Sequence, residues 1–122
     1  TKDILQDLVD IVSKNGCLLL NVGPKADGSI CEEEVQMLNE IGEWLDVNGE
    51  AIYDSHPWRV QAEGNTEVVE GMFSEEGRKD FDSTDVRFTC REDCIYIIPM
   101  QQHGEDVIVK SMGEESKDYH RV

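Results

Sequence analysis

An α/β half followed by an all-β half is the architecture this sequence predicts, and two changes in apolar spacing predict it. In the first fifty residues, two stretches of helical spacing flank one unbroken apolar run of strand length. Beyond residue 56 the apolar residues instead alternate with a period of two between Gly-, Asp- and Glu-rich breaks. The change of period places the boundary near residues 51–58, with units at 1–53 and 54–122.

The elements follow in order. Ile4, Leu5, Leu8, Ile11 and Val12 recur at helical spacing, and Asn15-Gly16 supplies a stop. Cys17 to Val22, apolar on both faces, reads as a strand buried on both sides, as in parallel sheets packed under helices. Pro24 and Asp27-Gly28 mark the loop from Gly23 to Ile30. Val35, Leu38, Ile41 and Leu45 mark a second helix that ends at Asn48-Gly49. Its first turn holds Glu32, Glu33 and Glu34, which complement the positive end of the helix dipole. Helix, buried strand, helix is one slice of an alternating α/β fold. After it come "EVVEGMF", "DVRFT", "CIYIIPM" and "DVIVKSM", four short runs suited to antiparallel strands with one solvated face.

Composition narrows function. The 122 residues carry 27 acidic against 11 basic side chains, a net charge of -16, with 39% hydrophobic residues. Such a surface repels phosphate backbones and anionic lipid heads, so neither nucleic acid nor membrane is an expected partner. No apolar run approaches the roughly 20 residues of a spanning helix, and these residues read as carrying no targeting segment. The chain opens at Thr1 directly on a helical pattern, which reads as a piece cut from something larger.

The motifs for small-ligand chemistry fail one by one. "NVGPKADGSI" lies between strand and helix, where phosphates bind, but it carries no Walker or dinucleotide pattern, and three glutamates would face the anion. Asp27 beside Gly28 is far short of a calcium loop and is first of all a turn residue. Cys17, Cys31, Cys90 and Cys94 lack zinc-site spacing, and no cofactor is implied. They read as free thiols in a reducing compartment or as strand fillers. The alternative is a Cys90–Cys94 disulfide across a hairpin, if the Cα atoms come within roughly 7 Å. His56, His103 and His120 read as loop residues. Trp44 falls beside the second helix's stripe and Trp58 at the junction, and both suit packing. Trp58, near a domain junction, is also where a sugar-stacking aromatic could lie.

The residues of both halves then converge on a resemblance. "LVDIVSKNGCLLLNVGPKADGSI" followed by "IGEWLDVNGEAIYDSHPW" is similar to the C-terminal part of the catalytic domain of alpha-L-fucosidases, with Cys17 and Cys31 in place of the usual Asn and Pro. "STDVRFTCREDCIYIIPM" resembles the first strands of the β-sandwich that follows in those enzymes. The resemblance implies the last helix-strand-helix part of a (β/α) barrel plus a partial antiparallel β-sandwich. It implies a retaining hydrolase acting on fucosylated glycans, which needs two carboxylates about 5–5.5 Å apart. In that family these come from earlier parts of the barrel, so no catalytic residue is assigned here. Asn21, at the end of the closing strand, is the residue that could orient a neighbouring catalytic group or bind substrate, although a backbone-bonding role competes. Trp58 is the second substrate-binding candidate. Two other readings stand beside this one, a carbohydrate-binding module and an acidic interaction module. An isolated barrel strand leaves its edges unpaired, so self-association, or contact with the rest of a barrel, is expected through Leu18 to Asn21 and the Ile4/Leu8/Ile11 face.

Overall fold

A computed structural model describes residues 1–68, 79–101 and 106–113. Helix α1 spans Lys2–Ser13 and helix α2 spans Glu32–Asn48, with a 3-10 turn over Gly49–Ala51. Strands β1 (His56–Glu63), β2 (Val86–Arg91) and β3 (Cys94–Pro99) form one antiparallel sheet in the order β1-β2-β3. Both predicted helices and the β2–β3 hairpin are where the apolar periodicity puts them.

The helix stops have local causes. Asn15 takes the left-handed conformation at φ 66°, and a Cβ on Gly16 would meet the Ile11 side chain at 2.7 Å. After α2 the chain does not turn left-handed at Gly49 but tightens into the 3-10 turn at φ -59°. There a Cβ would approach the Tyr53 ring at 2.8 Å.

Three expectations are corrected. Cys17 to Val22 forms no strand, and Leu19 is 83% exposed. An inner parallel strand needs a ladder on each edge. The sheet among the described residues is wholly antiparallel and lies elsewhere. In the single chain the edge from Leu18 to Asn21 therefore stays uncovered. Secondly, β1 is a strand that the alternating-run reading did not include, although Trp58, Val60 and Ala62 do alternate with Arg59, Gln61 and Glu63. Pro57 is tolerated because β1 is an edge strand. Thirdly, "DVIVKSM" is not a strand. The Lys110 and Ser111 amides instead donate to the Glu63 carboxylate, each at 2.8 Å. Glu67 and Val68 of "EVVEGMF" have no regular structure, and the rest of that run lies outside the described residues.

Register separates the sheet's two faces. Arg87 pairs with Ile98 and Thr89 with Tyr96, and this face meets the helices. Val86, Phe88 and Cys90 lie on the other, with Ile95 and Ile97 beside them. β2 is buried on both faces rather than solvated on one. Four β1 residues, Trp58 to Gln61, lie opposite the single residue Phe88, because the register shifts between Pro57↔Thr89 and Ala62↔Arg87. The helix-side core is Val9, Phe81 and Met100, with Trp44, Ile52 and Ile98 packed against it.

The docking face of α1 is not the predicted stripe. Its buried residues are Val9, Asp10 and Ser13, whereas Ile4, Leu5, Leu8, Ile11 and Val12 are only half-buried. Along α2 no residue is buried, and Val35 and Leu38 of its stripe are exposed.

Candidate functional site

Asn21 lies on the exposed connection between α1 and α2. Beyond it the loop is held by two acids. Glu34, in the first turn of α2, accepts the Gly23 amide at 3.0 Å. Asp27 accepts the Ser29 amide at 2.9 Å and the Ser29 hydroxyl at 2.7 Å, with Gly28 at φ 85° completing the turn. Those Ser29 hydrogen bonds hold the Asp27 carboxyl below its ordinary range. Asp27 is thus a turn residue, as its dipeptide suggested.

Trp58 lies on β1 with its ring centroid 5.2 Å from that of the fully buried Phe88, tilted by 51°. The Arg59 guanidinium sits 4.7 Å from the Trp58 centroid. No hydrogen bond joins Asn21 to Trp58 among the described residues, so the two predicted residues do not converge through one.

One pairing went unanticipated. The first residue of β1, His56, is opposite Cys90 in the ladder, and Cys90 Sγ lies 3.1 Å from His56 Nδ1. No local spacing announces a pair 34 residues apart; only the antiparallel register does. Burial pushes the Cys90 thiol up from its ordinary value. All four cysteines are free. Cys94 pairs with Arg91, which places it on the face opposite Cys90, so the hairpin disulfide is not formed. His103 and His120 lie outside the described residues. Among the described residues, no group of three or more His, Cys, Asp or Glu could hold a metal.

Two buried carboxylates are engaged in structural roles. Asp85, fully buried, accepts the Thr66 amide at 3.0 Å, the Thr66 hydroxyl at 2.6 Å and the Asp82 amide at 2.6 Å. Asp10, 6% exposed, accepts Arg87 Nε at 2.5 Å and Lys14 Nζ at 2.8 Å. Arg87 is 2% exposed, donates also to the Val86 carbonyl at 3.1 Å, and lies 4.9 Å from the centroid of Phe81. Removing one partner of such a pair costs about 3–5 kcal/mol, because the other charge is left buried and uncompensated. Thr89 Oγ1 donates to the Ala51 carbonyl at 2.7 Å and the Tyr96 hydroxyl to Glu50 at 2.8 Å. These polar contacts fasten the helices to the sheet. Beside them runs a cleft of about 670 Å³ whose walls include Leu5, Val9, Trp44, Ile98 and Met100, and Trp44 packs in this wall.

The first half of the chain matches known sequences most clearly. Residues 1–50 match the family model of alpha-L-fucosidase. This stretch is therefore similar to alpha-L-fucosidases. Tissue alpha-L-fucosidase of Mus musculus is 51% identical over 67 residues, covering 55% of this chain and 15% of the relative. Plasma alpha-L-fucosidase of Homo sapiens is 47% identical over 60 residues, covering 49% of this chain and 13% of the relative. The chain thus spans about 15% of the length of the curated fucosidases it matches. A solved alpha-fucosidase of Thermotoga maritima in complex with fucose superposes with a TM-score of 0.62 at 36% identity, covering 79% of this chain and 19% of that one. A share of 79% exceeds residues 1–50, so the likeness extends into the β half.

Proposed function

We propose that these residues serve an alpha-L-fucosidase, a retaining glycoside hydrolase that releases fucose from fucosylated glycans. The observation that carries the reading is the family match over residues 1–50 together with a backbone likeness, reaching past residue 50, to a fucose-bound fucosidase. In this reading Cys17 to Val22 is the closing strand of a (β/α) barrel, α1 and α2 are outer helices, and the sheet opens a β-sandwich, with the boundary at residues 53–54. The exposed leucines support it, since a run apolar on both faces suits neighbours on both edges. The two carboxylates of a retaining mechanism belong to other parts of such an enzyme, and Asn21 and Trp58 are at most orienting or substrate-contacting residues. Trp58 is half-buried against Phe88, which supports packing as its main role. By itself the chain self-associates through Leu18 to Asn21. The balance of 27 acidic to 11 basic residues speaks against nucleic acid, and among the described residues no helix is long and apolar enough to cross a membrane.

The test is release of nitrophenol from an aryl alpha-L-fucoside, by the 122-residue chain and by a longer polypeptide that contains it. No turnover is expected from the first and fucose-specific turnover from the second. Activity of the short chain, or a longer chain that cleaves only another glycoside, would overturn the proposal.

A further inference from the structure

The helix α1 presents two faces, and the less apolar one is docked on the sheet. At 100° per residue, the Gln6/Val9/Asp10/Ser13 face and the Ile4/Leu8/Ile11 face are separated by roughly 180° around the axis. Burial alone favours laying the second face on the sheet, since it is wholly aliphatic. The observed setting instead buries Val9, Asp10 and Ser13 and leaves Ile4, Leu8 and Ile11 half-buried.

We propose that the Asp10–Arg87 pair is a register key, which lets the sheet accept α1 in one rotational setting and so keeps the aliphatic face of α1 off the sheet. Arg87 projects from the helix-facing side of the central strand and is almost fully buried. Its Nε reaches Asp10 at 2.5 Å, and Phe81 covers the guanidinium. Rolling α1 to bury Ile4, Leu8 and Ile11 would carry Asp10 towards solvent and strand Arg87 without a carboxylate. An uncompensated buried charge outweighs the apolar area gained, whereas the pair in place has little net cost. The second Asp10 oxygen accepts Lys14 one turn on, which fixes the carboxylate's orientation. A polar contact that selects one packing among several is the best attested use of a buried charge or amide. The inference rests on the fucosidase reading only for what the half-buried aliphatic face then meets, a closing strand and its neighbours.

The test uses the 122-residue chain with labelled methyl groups. In the wild type, Val9 methyls should show NOEs to Ile98 and Met100, and Ile4 and Ile11 should show none to Ile98. In Arg87→Met the charge is gone, so NOEs from Ile4 or Ile11 to Ile98 should appear and those of Val9 should be lost. Arg87→Lys, which keeps the charge, should retain the wild-type set. Retention of the Val9 contacts in Arg87→Met overturns the proposal. If Arg87→Met does not fold because Asp10 is stranded, Asp10→Leu/Arg87→Met removes both charges. A rolled helix in the double variant supports the key, and a native setting overturns it. Failure of both variants to fold would make the pair a general stabiliser and also overturn the proposal. None of these outcomes bears on the fucoside assay, so the two readings stand or fall separately.

Discussion

Replacing Phe88 by alanine should remove a large share of the stability of this chain. The side chain is fully buried on the central strand, opposite the four-residue excursion of β1 and 5.2 Å from the Trp58 ring. Truncating a buried Phe to Ala costs about 3–5 kcal/mol from lost transfer energy plus the cavity left behind. Small domains have only about 5–15 kcal/mol in total. Of that loss, about 0.5–1.5 kcal/mol should belong to the ring pair with Trp58. A double-mutant cycle of Phe88→Leu and Trp58→Leu, followed by urea unfolding, isolates this term. Phe88→Ala should also shift tryptophan emission to the red, because water reaches Trp58. The cycle addresses function as well. If Trp58 is chiefly a packing residue, the coupling is present and Trp58→Leu lowers the unfolding midpoint. Coupling within error of zero, or a Phe88→Ala loss below about 1 kcal/mol, would refute the packing argument and strengthen the sugar-stacking role.

The remaining predictions concern backbone, charge and exposure. Gly64 sits at φ 127°, and a Cβ there would come within 2.0 Å of Asp85 Oδ1 and 2.6 Å of Asp85 Cα. Gly64→Ala should therefore cost more than the roughly 1–3 kcal/mol of a strained backbone alone, read as a fall in thermal midpoint. Burial works to raise the Glu63 carboxyl, but hydrogen bonds from Ser111 and Lys110 outweigh it and hold it below the ordinary value of 4.5. A depressed folded value means that the stabilisation is present above pH 4.5 and is lost as pH falls through the lower, folded value. Exchange of the Lys110 and Ser111 amides should accelerate over that acid range, and in Glu63→Gln the acid step should vanish. Leu19, 83% exposed in a single copy, should tolerate Asp within about 0.5 kcal/mol in the isolated chain at dilutions where it is monomeric, measured by thermal unfolding. In a longer polypeptide with a formed barrel the same change should be severe, and equal tolerance in both would count against the closing-strand proposal.

What the sequence determined by itself was local. The periodicity of Ile4 to Val12 and of Val35 to Leu45 placed both helices, because a 3.6-residue repeat needs only neighbours along the chain. Asn15-Gly16 and Asp27-Gly28 announced their turns for the same reason, since side-chain size and local hydrogen bonding decide them. Alternation found β2 and β3, and a run of specific motifs carried the resemblance to fucosidases. Tertiary structure decided which faces are used. The stripe on α1 pointed to Ile4, Leu8 and Ile11, but an arginine 77 positions away selected the face with Asp10. Strand formation at Cys17 to Val22 failed here because a ladder is made between chains of residues and never within one run. The His56–Cys90 contact and the placing of Cys90 and Cys94 on opposite faces follow from antiparallel register, which pairs residues far apart in sequence. Local spacing fixes what an element is, and only its distant partners fix where it turns its side chains.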